Sequence, residues 1–140
     1  MKQLALLLGL CVPMCAAAAG FCERTALDPE VPAGIDGHYE VVGKEPGSGA
    51  PFLGHAQWRL GKDSYLISRT VGQDTRDGEA WFERCGADGV EVLRLHYPSD
   101  PALEAVCQHV VDADNYHRFS CRSRQGTGAW SGLEAWYQGH

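Results

Sequence analysis

From residue 35 onward, apolar and small positions recur at every second residue. Ile35, Gly37, Tyr39, Val41 and Gly43 share one face of an extended segment, the period of a strand with one buried face. The run Lys44–Pro51 holds two prolines and two glycines, which fix or free the backbone in ways a strand cannot use, and it predicts a loop. A second strand follows, with Phe52, Gly54, Ala56, Trp58 and Leu60 on one face and His55, Gln57 and Arg59 on the other. A turn through Gly61–Ser64 leads into the β-branched and aromatic run Tyr65–Val71, a third strand.

Turn signals at Asp74–Gly78 and Gly86–Gly89 bracket the next strand, Glu79–Arg84. In Val90–Tyr97 the alternation slips. Val90 and Val92 share one face while Leu93, Leu95 and Tyr97 share the other, which predicts a bulge or a strand buried on both sides. Ser99–Glu104 reads as a short helical turn, with Pro101 in its first turn. Two strands then flank the turn-forming run Asp112–Asn115, and Leu133–Gln138 is a last strand or a single helical turn. Seven or eight short strands, with no helix long enough to connect parallel neighbours, predict an all-β antiparallel meander. Closure into an up-and-down barrel removes the exposed edges; a β-sandwich is the alternative.

Residues 1–20 follow a different pattern. Lys2, an apolar stretch from Leu4 to Met14 and the small residues Ala16–Ala19 have the layout of a secretory signal peptide, too short for a membrane span. Residues 21–140 then form one mature domain, placed in the periplasm or outside the cell, with no membrane span. The full chain's 44% hydrophobic content is too high for a chain that stays unfolded. Loss of Lys2 with the leader takes the formal charge from −6 to −7, which argues against nucleic acid, whose binding needs clustered cations.

Four cysteines remain after the leader: Cys22, Cys85, Cys107 and Cys121. An even number in an oxidising compartment predicts two disulfides. A symmetric turn at Asp112–Asn115 sets Cys107 opposite Cys121, and closing that loop contributes about 3 kcal/mol in the chain-entropy model. Cys22 is left with Cys85, a longer loop worth about 4 kcal/mol.

The segment Ile35-Asp-Gly-His-Tyr-Glu-Val-Val-Gly43, with a glycine shortly before an aromatic at the start of a first strand, resembles the opening of lipocalin-like and avidin-like (calycin) barrels. Tyr39 stands where those families carry Trp. The resemblance implies the barrel architecture and carries over no binding residues.

Chemical constellations are sparse. Cys107, His109, His117 and Cys121 form a Cys2His2 inventory, but four ligands spread along two extended strands do not converge on a tetrahedral ion. The cysteines are assigned to disulfides, with no metal and no cofactor. Ser48 and Ser131 lie near glycines without the strand-turn-helix setting of a nucleophile elbow, and Asp112–Asn115 lacks the glycine and glutamate of a calcium loop. No catalytic residue is assigned, and the chain reads as a non-enzyme. The aromatics remain: Tyr39, Trp58 and Trp81 are the expected lining of an interior site for a small apolar ligand, although eight-stranded barrels are often filled by their own side chains. The alternative is a protein-interaction module, such as an inhibitor of an envelope or extracellular hydrolase, presenting the Lys44–Pro51 loop or the Asp112–Asn115 turn.

Overall fold

The computed structural model describes residues 21–139; the signal-peptide reading of 1–20 lies outside the described residues. The described strands are β1 (Cys22–Arg24), β2 (Gly37–Lys44), β3 (Pro51–Leu60), β4 (Tyr65–Val71), β5 (Asp74–Cys85), β6 (Val90–Tyr97), β7 (Leu103–Val111), β8 (His117–Gln125) and β9 (Gly132–Gln138). From β2 to β9 each strand pairs antiparallel with its successor, and β9 returns to β2 with Tyr39 opposite Gln138 and Lys44 opposite Leu133. The eight strands close into an up-and-down barrel. The short β1 lies outside this circuit. It takes the edge of β5 beyond the end of β4, pairing Cys22 with Cys85 and Arg24 with Glu83.

The alternation read from the sequence sets which side chains enter the lumen. Tyr39, Val41, Ala56, Trp58, Tyr65 and Ile67 are buried there, as are Leu93, Leu95, Phe119 and Trp136. Two local expectations change, and Leu133–Gln138 takes the first of its two readings. Val90–Tyr97 contains no bulge, because β6 pairs with β5 without interruption from Val90 opposite Cys85 to His96 opposite Glu79. Leu93, Leu95 and Tyr97 face the lumen, while Val90 and Val92 stay on the outer face. Ser99–Glu104 is not a helical turn: residues 98–102 form a bend with a cis Asp100–Pro101 peptide, and Leu103 starts β7. Leu103 shares the inward phase of Ala105 and Cys107, so burial of that row decides for strand. Leu133–Gln138 belongs to β9.

Both disulfides join residues directly opposite each other in the ladders: Cys22–Cys85 across β1 and β5, and Cys107–Cys121 across β7 and β8. The second lies inside the lumen, where both cysteines are buried. Two disulfides fit an oxidising compartment. Close approach explains two of the lumen glycines. A Cβ on Gly43 would meet the Leu133 carbonyl and the Phe52 ring, and one on Gly78 the His96 carbonyl and the Tyr97 ring. The aromatic rings cover the bare backbone left by these glycines, as at strand kinks in curved sheets.

One end of the barrel is crossed by the lead-in 25–36, here the strap end; the other carries the connections 45–50, 98–102 and 126–131, here the loop end. The strap is held by Gln138, whose amide donates to the Gly34 and Asp36 carbonyls, and by Thr25, whose N–H donates to the Phe82 carbonyl. No helix among the described residues is long and apolar enough to cross a membrane.

Candidate functional site

The expected ligand lining divides between the two faces of the wall. Tyr39 and Trp58 meet inside the strap end with ring centroids 5.5 Å apart. Phe119 stacks between them, 5.2 Å from Tyr39 and 5.0 Å from Trp58, and Trp136 meets Trp58 edge-on at 5.9 Å. These four side chains are at most 1% exposed, so the lumen at this level is occupied by the protein itself. The Tyr39 hydroxyl donates to the Ile35 carbonyl. Burial raises the Tyr39 pKa, with the Asp36 and Tyr65 charges adding to it.

Trp81 lies outside. Ala80 and Phe82 take the inward positions of β5, and the Trp81 indole N–H donates to Glu83 at 2.8 Å under the Arg24 guanidinium, 4.7 Å from the ring. Glu83 also binds Arg94 at 2.9 Å. Partial burial pushes the Glu83 carboxyl upward, but hydrogen bonds from Arg94 and Trp81 outweigh it and leave its pKa below the usual range. Trp81 borders a small hollow of about 200 Å³ beneath the strap.

Two polar groups occupy the lumen, one at each end. At the strap end the Ala33 carbonyl can only accept, so His117 Nε2, 3.0 Å away, carries the proton. His117 Nδ1 and His109 Nε2 lie 2.8 Å apart and share one hydrogen bond, its direction set by the tautomers. Burial, reinforced by the His117 charge, lowers the His109 pKa from 6.5 to about 4. The nearby sulfurs of Cys107 and Cys121 are bonded to each other. At the loop end, Arg69 and Glu134 form an ion pair at 3.2 Å with side chains 3% and 1% exposed. The Trp136 indole N–H donates to the other Glu134 oxygen at 3.0 Å. Burial raises the Glu134 pKa, while the Arg69 charge and the Trp136 indole N–H pull it down without cancelling the rise. The one cluster of three metal-type donors among the described residues, Cys22, Glu83 and Cys85, has its two sulfurs in a disulfide.

The two segments expected to present a protein-binding anchor carry no large apolar side chain. Residues 45–50 are pinned by Glu45 N–H to Ala50 and by Gly47 N–H to Ser131 Oγ. Residues 112–115 form a turn in which Asp112 accepts from the Asp114 and Tyr116 amides and pairs with Arg118.

A group of exposed and half-buried apolar side chains sits instead on the outer wall. Val42, Leu53, Val92, Val106, Leu133 and Ala135 come from six different positions on β2, β3, β6, β7 and β9, and all face away from the lumen. Across β2, β9 and β8 the neighbours in one row are Lys44, Leu133 and Arg122; in the next they are Val42, Ala135 and Ser120. All of these apolar residues but Leu53 floor a shallow concavity of about 940 Å³ that reaches from Pro51 and Phe52 to Val92; Leu53 lies next to Val42 in the ladder. This saddle was not read from the sequence. Its signal was the apolar residues in the outward phase, including the Val90–Val92 slip. No family model, no curated protein and no solved structure matches the chain.

Proposed function

We propose that the chain is an exported, non-catalytic binding module that engages its partner through the outer saddle. The observation carrying this reading is the 940 Å³ apolar concavity on the outer wall, set against a lumen filled at the strap end by Tyr39, Trp58, Phe119 and Trp136. A soluble protein that keeps Leu53 at 69% and Leu133 at 50% exposure on one face leaves unburied area that a partner can cover, at roughly 25 cal/mol per Å². A small apolar ligand at the strap end of the lumen would have to displace one of those four rings, each already close-packed.

The test is site-specific photocrosslinking in the exporting cells. A benzoyl-phenylalanine placed at Val42 or Leu133, both exposed and both lining the saddle, should yield a discrete adduct, and one at Leu66, exposed on the opposite wall, should not. Equal adducts at all three positions, or none at the saddle, overturn the reading.

A further inference from the structure

The saddle carries information about what covers it, and this inference rests on the reading that it is a binding surface. Its floor is apolar, yet the two residues that flank Leu133 in the ladder are cations, Lys44 on β2 and Arg122 on β8. Other arginines of this wall are neutralised: Arg94 by Glu83, Arg118 by Asp112 and Arg124 by Glu104. Lys44 and Arg122 make no ion pair among the described residues. Glu134, the acidic residue bordering the concavity, turns its carboxylate inward to Arg69 and Trp136. In a chain of net charge −6, an apolar floor bracketed by two uncompensated cations fits an apolar partner bearing acidic groups.

The geometry narrows the partner's form. The barrel is closed here, so every strand under the saddle has both edges paired. An extended peptide pressed on this wall would find no backbone partner for the N–H and C=O groups it buries, and strand addition has no edge to use. A helix satisfies its own backbone. A planar bilayer would bridge a concave face without touching its floor. A small ligand would be largely uncovered in so open a hollow, whereas ligand sites enclose most of their occupant.

The spacing fits as well. Lys44 and Arg122 sit two strand spacings apart, about 10 Å, and residues i and i+7 of a helix are about 10.5 Å apart on one face. We propose that the saddle takes an amphipathic α-helix lying across the strands, with acidic side chains at i and i+7 against Lys44 and Arg122 and apolar side chains at i+3 and i+4 over Leu133 and Val42.

The probe is a set of synthetic 18-residue peptides titrated into the full, disulfide-bonded protein and followed by amide NMR shifts and fluorescence anisotropy. One carries Glu-x-x-Leu-Leu-x-x-Glu in a helix-forming background, a second replaces both Glu by Lys, and a third places Pro between the leucines. The Glu peptide should bind at least tenfold more tightly than either variant and shift the amides of Val42, Leu133 and Arg122. The protein variant K44A/R122A, altered only at exposed positions, should lose the preference for Glu over Lys. Equal binding of the Pro peptide overturns the helical partner, and equal binding of the Lys peptide overturns the acidic one. Binding to anionic phosphatidylglycerol vesicles with none to the peptides overturns both. If no peptide binds while Leu133 still crosslinks to a partner, this inference fails and the binding module stands; if crosslinking fails too, the module itself is wrong.

Discussion

The two ends of the lumen are closed by opposite kinds of chemistry. At the strap end Tyr39, Trp58, Phe119 and Trp136 interlock through their rings, and the stabilisation comes from apolar area and close contact. At the loop end the space is spanned by one buried ion pair, Arg69 with Glu134, beside the Phe52 ring. Three buried polar atoms there, Arg69 Nε, the Tyr97 hydroxyl and Ser123 Oγ, have no hydrogen-bond partner; Trp58 Nε1 is the fourth such atom and lies at the strap end. Packing is tolerant of chemistry and intolerant of lost volume. A buried pair is the reverse: each charge is costly alone, and the two together are replaceable.

That contrast can be broken by mutation. Trp58→Ala should cost about 3–5 kcal/mol in denaturant unfolding, because the ring vacates space its neighbours cannot refill. Adding Phe119→Ala should increase the loss. Glu134→Leu should cost a similar 3–5 kcal/mol by leaving the Arg69 guanidinium buried and uncompensated, yet adding Arg69→Met should restore most of it. If the double replacement at the loop end is no better than the single one, the pair is not the isolated charge couple its geometry describes.

A smaller effect comes from pH. His109 protonates at about 6.5 when unfolded and about 4 in the barrel, so between those values the unfolded chain binds the extra proton. Stability present above pH 6.5 is therefore lost as the pH falls toward 4, by on the order of 1–2 kcal/mol once solvent screening is allowed for. His109→Phe should flatten that limb of a thermal-unfolding profile. Glu134 has the opposite sign, since its raised pKa favours the barrel most at low pH, and the Arg69→Met, Glu134→Leu protein should show a steeper acid loss. An unchanged limb in both proteins would show that neither end titrates as its burial requires.

The sequence carried the barrel because each strand alternates, and because the Asp112–Asn115 turn is symmetric enough to set Cys107 against Cys121. Trp81 was harder. It sits between Ala80 and Phe82, so both faces of β5 hold an aromatic, and pairing with Leu93 of β6 gives the inward place to Phe82. What holds Trp81 outside includes Arg24 from β1, a three-residue strand too short to leave a period. The ion pair joins residues 65 positions apart, yet a trace was present: Arg69 stands in the phase of Tyr65 and Ile67, and Glu134 in that of Trp136. The saddle left the same kind of trace in the outward phase, and its meaning depends on which strands become neighbours when the barrel closes.

The two crosslinks also determine how the molecule would respond to tension. Cys22–Cys85 encloses β1 through β5, and Cys107–Cys121 encloses the β7–β8 turn. A pull between the ends of the described chain can pay out little beyond 86–106 and 122–139, roughly 130 Å of extended backbone against roughly 400 Å once both bonds are reduced. Half the barrel wall is thus a closed loop of covalent chain that force can tilt or peel but cannot straighten.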